Sequence, residues 1–308
     1  MKILVTPRSL TKSGHPSLEE FRRAGYEVVF SRPGSFPSEE ELLLLLPGCV
    51  GYLAGVEPIR ARVLDAAKQL RVIGRNGTGV DNIDMDAARR NGLVVCRAEG
   101  ANARGVAELA FGHILASVRA IPLSDHNLKQ ANWERSKGFE LEGRTLGLIG
   151  CGNIGRIVAG FALAFDMEVI AHDLCPENAF PSARFSYGTF DEVIARADVI
   201  SLHCPAVDDG SALVNRRTIA LMKRGVYLVN TARAGLMDDD AVLEALDSGQ
   251  IAGVAIDVFR MEPPEDLRLA RHPRVIATPH IGGFTDEGVD RAVSVAVKNM
   301  LDALAKPH

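Results

Sequence analysis

One short glycine-rich segment has the residue types and spacing to bind a phosphate group. Residues 150–155, Gly-Cys-Gly-Asn-Ile-Gly, have the form G-x-G-x-x-G, follow an apolar strand-like run and precede a helical pattern. In such a turn the first glycine permits the bend, the second lets backbone N–H groups approach a pyrophosphate, and the third lets helix and strand pack closely. The context predicts a dinucleotide-binding turn, with candidate contacts from Gly150, Gly152, Asn153, Ile154 and Gly155.

An acidic residue follows this turn at the distance expected for a ribose contact. Asp173 ends the next predicted strand, 18 residues beyond Gly155, and a carboxylate that binds the ribose hydroxyls typically lies ~20 residues on. A carboxylate at this position repels a 2′-phosphate, and no arginine directly follows Asp173. The sequence therefore favours NAD over NADP.

The elements that must position this turn alternate between strand-length apolar runs and helical patterns, which is typical of parallel sheets covered by helices. A helix is predicted over residues 17–24. A second helix is predicted after Ser38, where Glu41 has capping-box spacing ahead of a leucine run that we interpret as packing on a sheet. The first hundred residues also contain five predicted strands, at 2–6, 27–30, 50–54, 71–75 and 93–96.

The rest of the chain contains, between 145 and about 279, six predicted strands joined by helices, which match the size of a complete dinucleotide-binding domain. It begins with a predicted long helix at 101–121, whose small residues form a face suited to close helix packing. The segment 286–305 is a helical pattern without a strand of its own, so we expect it to pack on elements formed earlier. Between them lie six predicted strands, at 145–149, 168–172, 199–203, 226–229, 253–256 and 275–277.

Composition excludes several classes of function. The 308 residues carry a net charge of −4, with 47% hydrophobic and 24% charged residues, as in a globular protein without nucleic-acid affinity. No apolar run approaches the ~20 residues of a membrane helix and no signal peptide is recognisable, so we expect a cytoplasmic protein without a membrane partner. The five cysteines are scattered and lack a CxxC pair, which predicts neither disulfides nor a metal site: Cys49, Cys96, Cys151, Cys175 and Cys204.

Several separated motifs occur in the order found in one family. They are residues 74–82 (GRNGTGVDN), 133–135 (WER), 146–155, 230–233 (NTAR), 257–259 (DVF) with 262–263 (EP), and 279–283 (PHIGG). With these motifs the chain resembles the D-isomer-specific 2-hydroxyacid dehydrogenases over nearly its whole length, and within that family the phosphoglycerate dehydrogenases.

The resemblance implies an α/β fold of two doubly wound parallel-sheet domains. A Rossmann NAD-binding domain, residues 100–284, would be inserted into a discontinuous flavodoxin-like substrate domain of residues 1–99 and 285–308, with the active site in the cleft. The resemblance also implies a homodimer through the 101–140 region. Because the chain ends soon after the tail helix, we expect a short form without a regulatory domain and without feedback control by serine.

The resemblance also implies three catalytic residues. Hydride transfer between a 2-hydroxy acid and a nicotinamide ring needs a group that takes the hydroxyl proton and a cation for the carboxylate. The family pattern places the acid/base at His280, since imidazole exchanges a proton near neutral pH. Glu262 would hold the ring and stabilise its protonated form. Arg233 would offer forked donors to the carboxylate and polarise the C2 oxygen.

Further contacts carry over from the family pattern. Asp257 resembles the carboxylate that accepts from the nicotinamide carboxamide, and the other expected cofactor contacts are Cys204, Thr231, Ala232, His280, Gly282 and Gly283. The expected substrate contacts are Arg75, Asn76, Gly77, Thr78, Gly79 and Arg233, with the 76–79 loop offering backbone N–H donors. Cys204 is not expected to be a nucleophile, because no activating partner for its thiol can be recognised nearby.

One departure from the family pattern leaves the substrate open. Phosphoglycerate dehydrogenases commonly place an arginine for the substrate phosphate at the end of the strand 50–54, where this chain has Ala54, with Glu57 nearby. Arg75 and Arg135 remain as candidate cations. D-3-phosphoglycerate, oxidised in serine biosynthesis, is the first expected substrate, and Ala54 favours a small substrate without phosphate.

Two alternatives therefore stay open. The first is a glyoxylate or hydroxypyruvate reductase, or another dehydrogenase of a small D-2-hydroxy acid. The second, from a different class, is an NAD-sensing protein similar to the corepressors that resemble these dehydrogenases. The complete set of Arg233, Glu262 and His280 disfavours a purely binding role.

Overall fold

The chain divides into two compact units, each built on its own parallel sheet, in a computed structural model that describes residues 1–176, 180–207 and 209–306. The first unit contains Met1–Asn102 together with the chain from Asp286 onward, and the second contains Ala103–Thr285. The divisions expected from sequence, at 99/100 and 284/285, lie three residues and one residue earlier. The predicted α/β class with two parallel sheets is confirmed.

The first unit has a flavodoxin-like sheet. Its parallel strands lie in the order β2-β1-β3-β4-β5, which places β1 and β3 at the point where the strand order reverses. All six residues of β3 are buried, as expected for a central strand covered on both faces. In chain order the elements are β1 Lys2–Val5, α1 Arg8–Ser13, α2 Leu18–Arg23, β2 Glu27–Phe30, α3 Glu39–Leu45, β3 Cys49–Ala54, α4 Ala61–Ala66, β4 Val72–Arg75, α5 Met85–Arg90 and β5 Val94–Arg97.

The predicted capping box at the start of α3 is present. The Ser38 hydroxyl accepts from the Glu41 N–H at 3.2 Å, and the Glu41 carboxylate accepts from the Ser38 N–H at 2.8 Å. Leu42 and Leu46 are buried in the core cluster that contains Leu4 and Tyr52 of the sheet. The leucine run is therefore a helix packed on a sheet, as the sequence indicated.

The second unit has a seven-stranded parallel sheet in the order β12-β11-β10-β9-β6-β7-β8. Read from β8, this is the Rossmann order 3-2-1-4-5-6 with one further strand at the end. In register, Leu148 of β6 pairs with Ala171 of β7 on one side and Ser201 of β9 on the other. In chain order the elements are α6 Ala103–Val118, α7 Ile121–Lys129, β6 Thr145–Ile149, α8 Asn153–Ala164, β7 Glu168–His172, β8 Phe185–Tyr187, α9 Phe190–Arg196, β9 Val199–Leu202, α10 Arg216–Ile219, β10 Val226–Asn230, a 3₁₀ turn at Ala234–Leu236, α11 Asp239–Asp247, β11 Ile251–Ile256 and β12 Val275–Ala277.

The structure contains elements that were not individually predicted, and one predicted helix is broken. No sequence signal predicted α1 or the three-residue strand β8, and the 101–121 segment was expected to be one helix. In the structure α6 ends at Val118 because Ala120 adopts a left-handed conformation, with φ 49°, and α7 then begins with Pro122 in its first turn. A proline in the first turn is favourable because its missing N–H has no acceptor there.

The small-residue face of α6 is used inside the second unit. Ala107 and Ala110 are fully buried, and the helix packs on α8, β10 and β11. A side chain at Gly105 would meet the Gly282 carbonyl oxygen at 2.9 Å. The close approach predicted from this face therefore brings α6 against the segment that follows β12.

The described part of the chain contains no single helix that is long and apolar enough to cross a membrane. Within residues 1–176, 180–207 and 209–306, one bent pair, α6 and α7 with 61° between them, has the length and composition of a possible span.

The C-terminal helix, α12 Asp286–Leu304, completes the first unit by packing on β3, β4 and β5. Its Met300 lies over two glycines of the sheet, Gly51 and Gly74, and an added Cβ at Gly74 would overlap the Met300 side chain. Asn299 donates to the Arg97 carbonyl at 2.9 Å, and Arg291 donates to the Ala101 carbonyl at 2.9 Å. The segment that lacked a strand of its own thus forms part of the core of the first unit.

We expect Gly74→Ala to destabilise the first unit by about 1–3 kcal/mol, because the added methyl group overpacks the Met300 contact. Gly160→Ala is the matched control, since nothing lies within 4 Å of an added Cβ in this helix interior, and it should stabilise by about 0.5–1 kcal/mol. Urea unfolding followed by circular dichroism measures both. Equal stabilities for the two variants would contradict the packing of Met300 on Gly74.

Candidate active site

The candidate site residues of the second unit follow the carboxyl ends of its strands. Because the sheet is parallel, these ends share one edge, and ligands of open α/β sheets bind there, beside the point where strand order reverses. Here that point lies between β6 and β9. The residues are the turn 150–155 after β6, Asp173 after β7, Cys204 after β9, Thr231 to Arg233 after β10, Asp257 after β11 and His280 after β12.

Each position of the G-x-G-x-x-G turn has its own structural reason to be occupied by glycine. Gly150 has φ 91°, and an added Cβ there would lie 2.6 Å from the His203 carbonyl carbon. A Cβ at Gly155 would overlap the Gly150 carbonyl oxygen. At Gly152, the N-cap of α8, an added Cβ meets nothing within 4 Å. The first and third glycines thus close the turn, while the second leaves its outer side open.

The open side at Gly152 fits the pyrophosphate of a dinucleotide. The first amides of a helix have no intrahelical acceptor, and the helix dipole makes this end positive. Asn153, Ile154 and Gly155 form the first turn of α8. Their backbone N–H groups are therefore available to donate to the phosphate oxygens. The buried Thr231 hydroxyl at the same sheet edge also has no hydrogen-bond partner among the described residues. The residues present therefore fit NAD.

Asp173 ties the turn to the next strand. One carboxylate oxygen accepts from the Cys151 N–H at 2.6 Å and the other from the Cys175 N–H at 2.8 Å. A carboxylate has about four lone-pair sites, so both oxygens keep acceptor capacity for ribose hydroxyls. Asp173 therefore stabilises the glycine turn, and it lies at the position where the sequence predicts a ribose contact.

The residues after β9 lie beneath the glycine turn and are uncharged at neutral pH. His203 Nε2 is 2.8 Å from the Ser201 hydroxyl, and burial lowers the pKa of His203 to about 4. Burial also raises the pKa of the Cys204 thiol to about 11. A thiol that keeps its proton is a poor nucleophile, which agrees with the expectation that Cys204 has no nucleophilic role.

A tight turn presents Arg233. The buried Asn230 side chain accepts from the Ala232 N–H at 3.1 Å and donates to the Arg233 carbonyl at 2.9 Å. The Arg233 guanidinium donates to the Ala232 carbonyl at 2.8 Å and is partly exposed. Asn230 belongs to the 230–233 motif, and no role was predicted for it from sequence. In the structure the two side-chain hydrogen bonds of Asn230 hold the turn at the point where the strand β10 ends.

Glu262 and His280 are in direct contact. His280 Nδ1 lies 2.8 Å and 2.7 Å from the two carboxylate oxygens of Glu262, and one of these oxygens also accepts from the Phe259 N–H at 3.2 Å. A carboxylate beside Nδ1 assigns the ring proton to that nitrogen. The Nε2 atom is then the free base of a ring whose side chain is 54% exposed.

Asp257 organises the backbone around His280. This carboxylate is buried, and its two oxygens accept from the N–H groups of Ile281 and Gly282, both at 2.8 Å. The structure therefore places Asp257 beside Gly282 as well as near His280. Two further residues, Thr278 and His113, extend this contact. Neither residue could be recognised as part of the site from sequence, because His113 lies on α6, 165 residues from Thr278.

The candidate substrate loop of the first unit begins at the end of β4. The Arg75 side chain donates to the Asn76 carbonyl, and Gly77, with φ 147°, closes a tight turn. The amide oxygen of Asn76 is buried and has no partner among the described residues. Thr78 and Gly79 are partly exposed beyond this turn.

Glu57 is not a solvated charge beside this loop. Its side chain is buried, and one oxygen accepts from the Thr6 hydroxyl, from the Tyr52 hydroxyl at 2.6 Å and from the Gly55 N–H at 3.0 Å. Burial and this carboxylate raise the pKa of Tyr52 well above its ordinary value. Glu57 therefore holds the loop after β3, where Ala54 leaves no cation.

The remaining candidates lie on loops and turns of the second unit. In the 133–135 motif of the second unit, Trp133 is 82% exposed and Arg135 is exposed on the same loop. Gly283 follows Gly282 and is partly exposed. In the described ranges, no group of three or more His, Cys, Asp or Glu side chains is arranged to hold a metal ion.

Comparison with known proteins assigns the second unit. Residues 111–282, more than half of the chain, match the family described as "D-isomer specific 2-hydroxyacid dehydrogenase, NAD binding domain". The chain belongs to the D-isomer-specific 2-hydroxyacid dehydrogenase family. This confirms the predicted family and the predicted cofactor, NAD.

Relatives within the family differ in their named substrates. The chain is 42% identical to D-3-phosphoglycerate dehydrogenase from Sus scrofa over 261 residues, which is 82% of this chain and 48% of that protein. It is also 42% identical to hydroxypyruvate reductase from Thermotoga maritima over 260 residues, 82% of this chain and 84% of that protein. The chain thus spans about half the length of the phosphoglycerate dehydrogenases that it matches.

A solved structure covers the whole fold. The TT0316 protein from Thermus thermophilus superposes with a TM-score of 0.86 at 36% identity, over 99% of this chain and 97% of that one.

The glycine turn yields a paired prediction. Gly152→Ala should keep the Tm of the protein without cofactor within ~2 °C, because nothing opposes the added methyl group, yet weaken NADH binding at least ~10-fold, about 1.4 kcal/mol, by blocking close approach of the pyrophosphate. Gly155→Ala should lower both the Tm and the affinity, because its methyl group strikes the Gly150 carbonyl oxygen. Thermal melts and fluorescence titration measure the pair. Unchanged NADH affinity in Gly152→Ala would remove the turn from the cofactor site.

Proposed function

We propose that this protein is an NAD-dependent dehydrogenase that interconverts a D-2-hydroxy acid and the corresponding 2-oxo acid. The observation that carries the proposal is the contact of 2.7 Å between Glu262 and His280 Nδ1, which leaves Nε2 as a base on a half-exposed ring. A ring oriented by a carboxylate is the usual arrangement of a histidine acid/base.

The proton moves through His280. In the direction of oxidation, Nε2 takes the proton of the substrate hydroxyl while the C2 hydrogen leaves as hydride, and Glu262 stabilises the imidazolium that forms. In the direction of reduction, the imidazolium returns the proton to the C2 oxygen. Bound NAD supplies the acceptor and donor of the hydride.

Arg233 binds the acidic end of the substrate. Its guanidinium is permanently charged and can meet a carboxylate with two parallel N–H donors. The Asn230 turn fixes the backbone from which the side chain extends, so the position of the cation is set before substrate binds. A positive charge beside the C2 oxygen also stabilises negative charge that develops there.

The cofactor is held by groups from six strand ends. We assign the pyrophosphate to the turn of Gly150 to Gly155, the ribose hydroxyls to Asp173, and the nicotinamide carboxamide to Asp257. Oδ2 of Asp257 accepts one bond from Gly282 and retains a lone pair for the carboxamide N–H. The expected neighbours of the cofactor are Cys204, Thr231, Ala232, His280, Gly282 and Gly283.

The finer assignment is D-3-phosphoglycerate and 3-phosphohydroxypyruvate. It is supported by the identity to phosphoglycerate dehydrogenases and by the cations Arg75 and Arg135, with the loop of Arg75 to Gly79 as the substrate loop. Hydroxypyruvate or glyoxylate is the second candidate. Ala54 favours it, because the end of β3 offers no cation and the nearby Glu57 adds a buried carboxylate.

We also propose a homodimer formed through residues 101–140. Apolar side chains on this segment are exposed, with Ile121 at 54%, Leu128 at 59% and Trp133 at 82%. The small-residue face of α6 is already buried inside the second unit, so the contact with a second copy would use α7 and the loop after it.

Replacement of the acid/base tests the function most simply. We expect His280→Asn to lower kcat by ~10²–10⁴-fold, the usual contribution of a general acid/base, with little change in NADH affinity. Asparagine is the suitable replacement because it tolerates the left-handed backbone of residue 280, where φ is 53°. The control variant is His15→Asn in the first unit, because the His15 ring contacts Asp290 and Ser17 and no candidate site residue. Full turnover in His280→Asn would exclude the acid/base role.

A substrate panel tests the finer assignment. With NADH and equal concentrations of 3-phosphohydroxypyruvate, hydroxypyruvate, glyoxylate and pyruvate, we expect 3-phosphohydroxypyruvate to give the highest kcat/KM, and Arg75→Gln to reduce that preference by ~10-fold, about 1.4 kcal/mol of lost charge pairing. A higher kcat/KM for hydroxypyruvate would move the assignment to the second candidate. Tight NADH binding with no turnover of any 2-oxo acid would favour the NAD-sensing alternative.

A further inference from the structure

Three polar side chains, of which His113 and Asp257 are buried and Thr278 is partly buried, join α6 to the segment that carries His280. His113 is 4% exposed, and its Nε2 lies 3.1 Å from the Thr278 hydroxyl. The same hydroxyl lies 2.6 Å from Asp257 Oδ1. We call these three side chains, Asp257, Thr278 and His113, the Asp257 network.

The positions of the protons in the Asp257 network follow from its partners. An ionised carboxylate only accepts, so the single hydroxyl proton of Thr278 is donated to Asp257. The hydroxyl oxygen must then accept from His113, which requires the tautomer with its proton on Nε2. Burial lowers the pKa of His113 below its ordinary value, despite the opposing charge of Asp257. A neutral ring protonated on Nε2 satisfies both requirements.

The Asp257 carboxylate binds residues on both sides of His280 in the chain. Thr278 precedes His280 by two residues, and Asp257 also accepts from Ile281 and Gly282, which follow it. His280 itself has φ 53°, a conformation that a residue with a side chain adopts only when its surroundings impose it. The fixed positions of residues 278, 281 and 282 supply that constraint.

The close packing of α6 against the 278–282 segment makes the contact between His113 and Thr278 possible. Gly105, two turns before His113 on the same helix, would place a Cβ 2.9 Å from the Gly282 carbonyl oxygen. Ile114, next to His113, is fully buried in the apolar core beneath α6. The helix therefore cannot move away from the 278–282 segment without opening that core.

We propose that His113 is a positioning residue for the proposed hydride-transfer reaction. By donating to Thr278, it directs the hydroxyl proton onto Asp257, and Asp257 in turn fixes the backbone on which His280 stands. In this role His113 touches neither substrate nor cofactor. The inference rests on the proposed function, because its effect on turnover is exerted through His280.

Three variants of α6 test the role in turnover. Gln places an amide N–H near the position of His Nε2, so His113→Gln should keep kcat within ~3-fold of the unchanged protein. His113→Leu removes the donor and should lower kcat ~10-fold, within the range that small misplacements of reacting groups cause, while NADH affinity changes less than ~3-fold. The deuterium isotope effect with C4-deuterated NADH should rise, because the chemical step becomes slower. Ile114→Val, which loosens the same core without touching the Asp257 network, should leave kcat within ~2-fold.

A second measurement does not depend on turnover. In protein labelled with ¹⁵N-histidine, two-bond ¹H–¹⁵N correlation spectra should show His113, assigned from the spectrum of His113→Gln, as the neutral tautomer protonated on Nε2. Thr278→Val should change the signal of this N–H and lower kcat as His113→Leu does. This variant also serves if His113→Leu does not fold.

The outcomes separate the two proposals. If the unchanged protein reduces no 2-oxo acid, the proposed function fails, and the tautomer still decides whether the Asp257 network exists. If the protein is active, wild-type kcat in both His113→Leu and Thr278→Val would overturn the positioning role. A His113 protonated on Nδ1, or equal loss of activity in His113→Gln and His113→Leu, would overturn it as well.

Discussion

The buried carboxylate of Asp257 is the interaction on which the candidate site depends. It accepts three hydrogen bonds, from Thr278, Ile281 and Gly282, and hydrogen bonds to a charged group contribute about 1.5–3 kcal/mol each. A left-handed residue with a side chain costs about 1–2 kcal/mol. The three bonds therefore outweigh the strain at His280, whose ring contacts Glu262.

The backbone is fixed in the same way at the turn after β6, an interior strand of the same sheet. Gly150 and Gly155 close the turn after β6 against each other, and Asp173 holds Cys151 from the neighbouring strand. This leaves Gly152 as the open point at the start of α8. The cofactor turn and the His280 segment are thus each formed by contacts within the second unit, so binding need not order either one. Preformed sites avoid the entropy cost of ordering on binding.

Local patterns predicted much of this architecture. The capping box of Ser38 and Glu41, the strands of both sheets and the glycine turn depend on residues close in sequence, where spacing determines geometry. The strand β8 was missed because three residues carry too little alternation. The break in the 101–121 helix was missed because an alanine at position 120 gives no signal of a left-handed conformation.

Some contacts of the candidate site were indicated before the structure was known, and others were not. The structure brings Glu262 onto His280 and Asp257 beside Gly282, although these pairs are 18 and 25 residues apart, and only the family pattern, not spacing, indicated them. The contacts of Glu57 and His113 could not be predicted from sequence. Their roles depend on partners brought together by the fold, Thr6 at 51 residues from Glu57 and Thr278 at 165 residues from His113.

Hydride should pass directly between the cofactor and C2 of a D-2-hydroxy acid, with His280 exchanging the proton. The most direct measurement is the reduction of a 2-oxo acid with NADH that is stereospecifically deuterated at C4, followed by mass spectrometry and chiral analysis of the product. We expect one deuterium at C2 of the D-hydroxy acid from one C4 face of the cofactor and none from the other. Product without deuterium from either face, or the L-hydroxy acid, would contradict direct hydride transfer at this site.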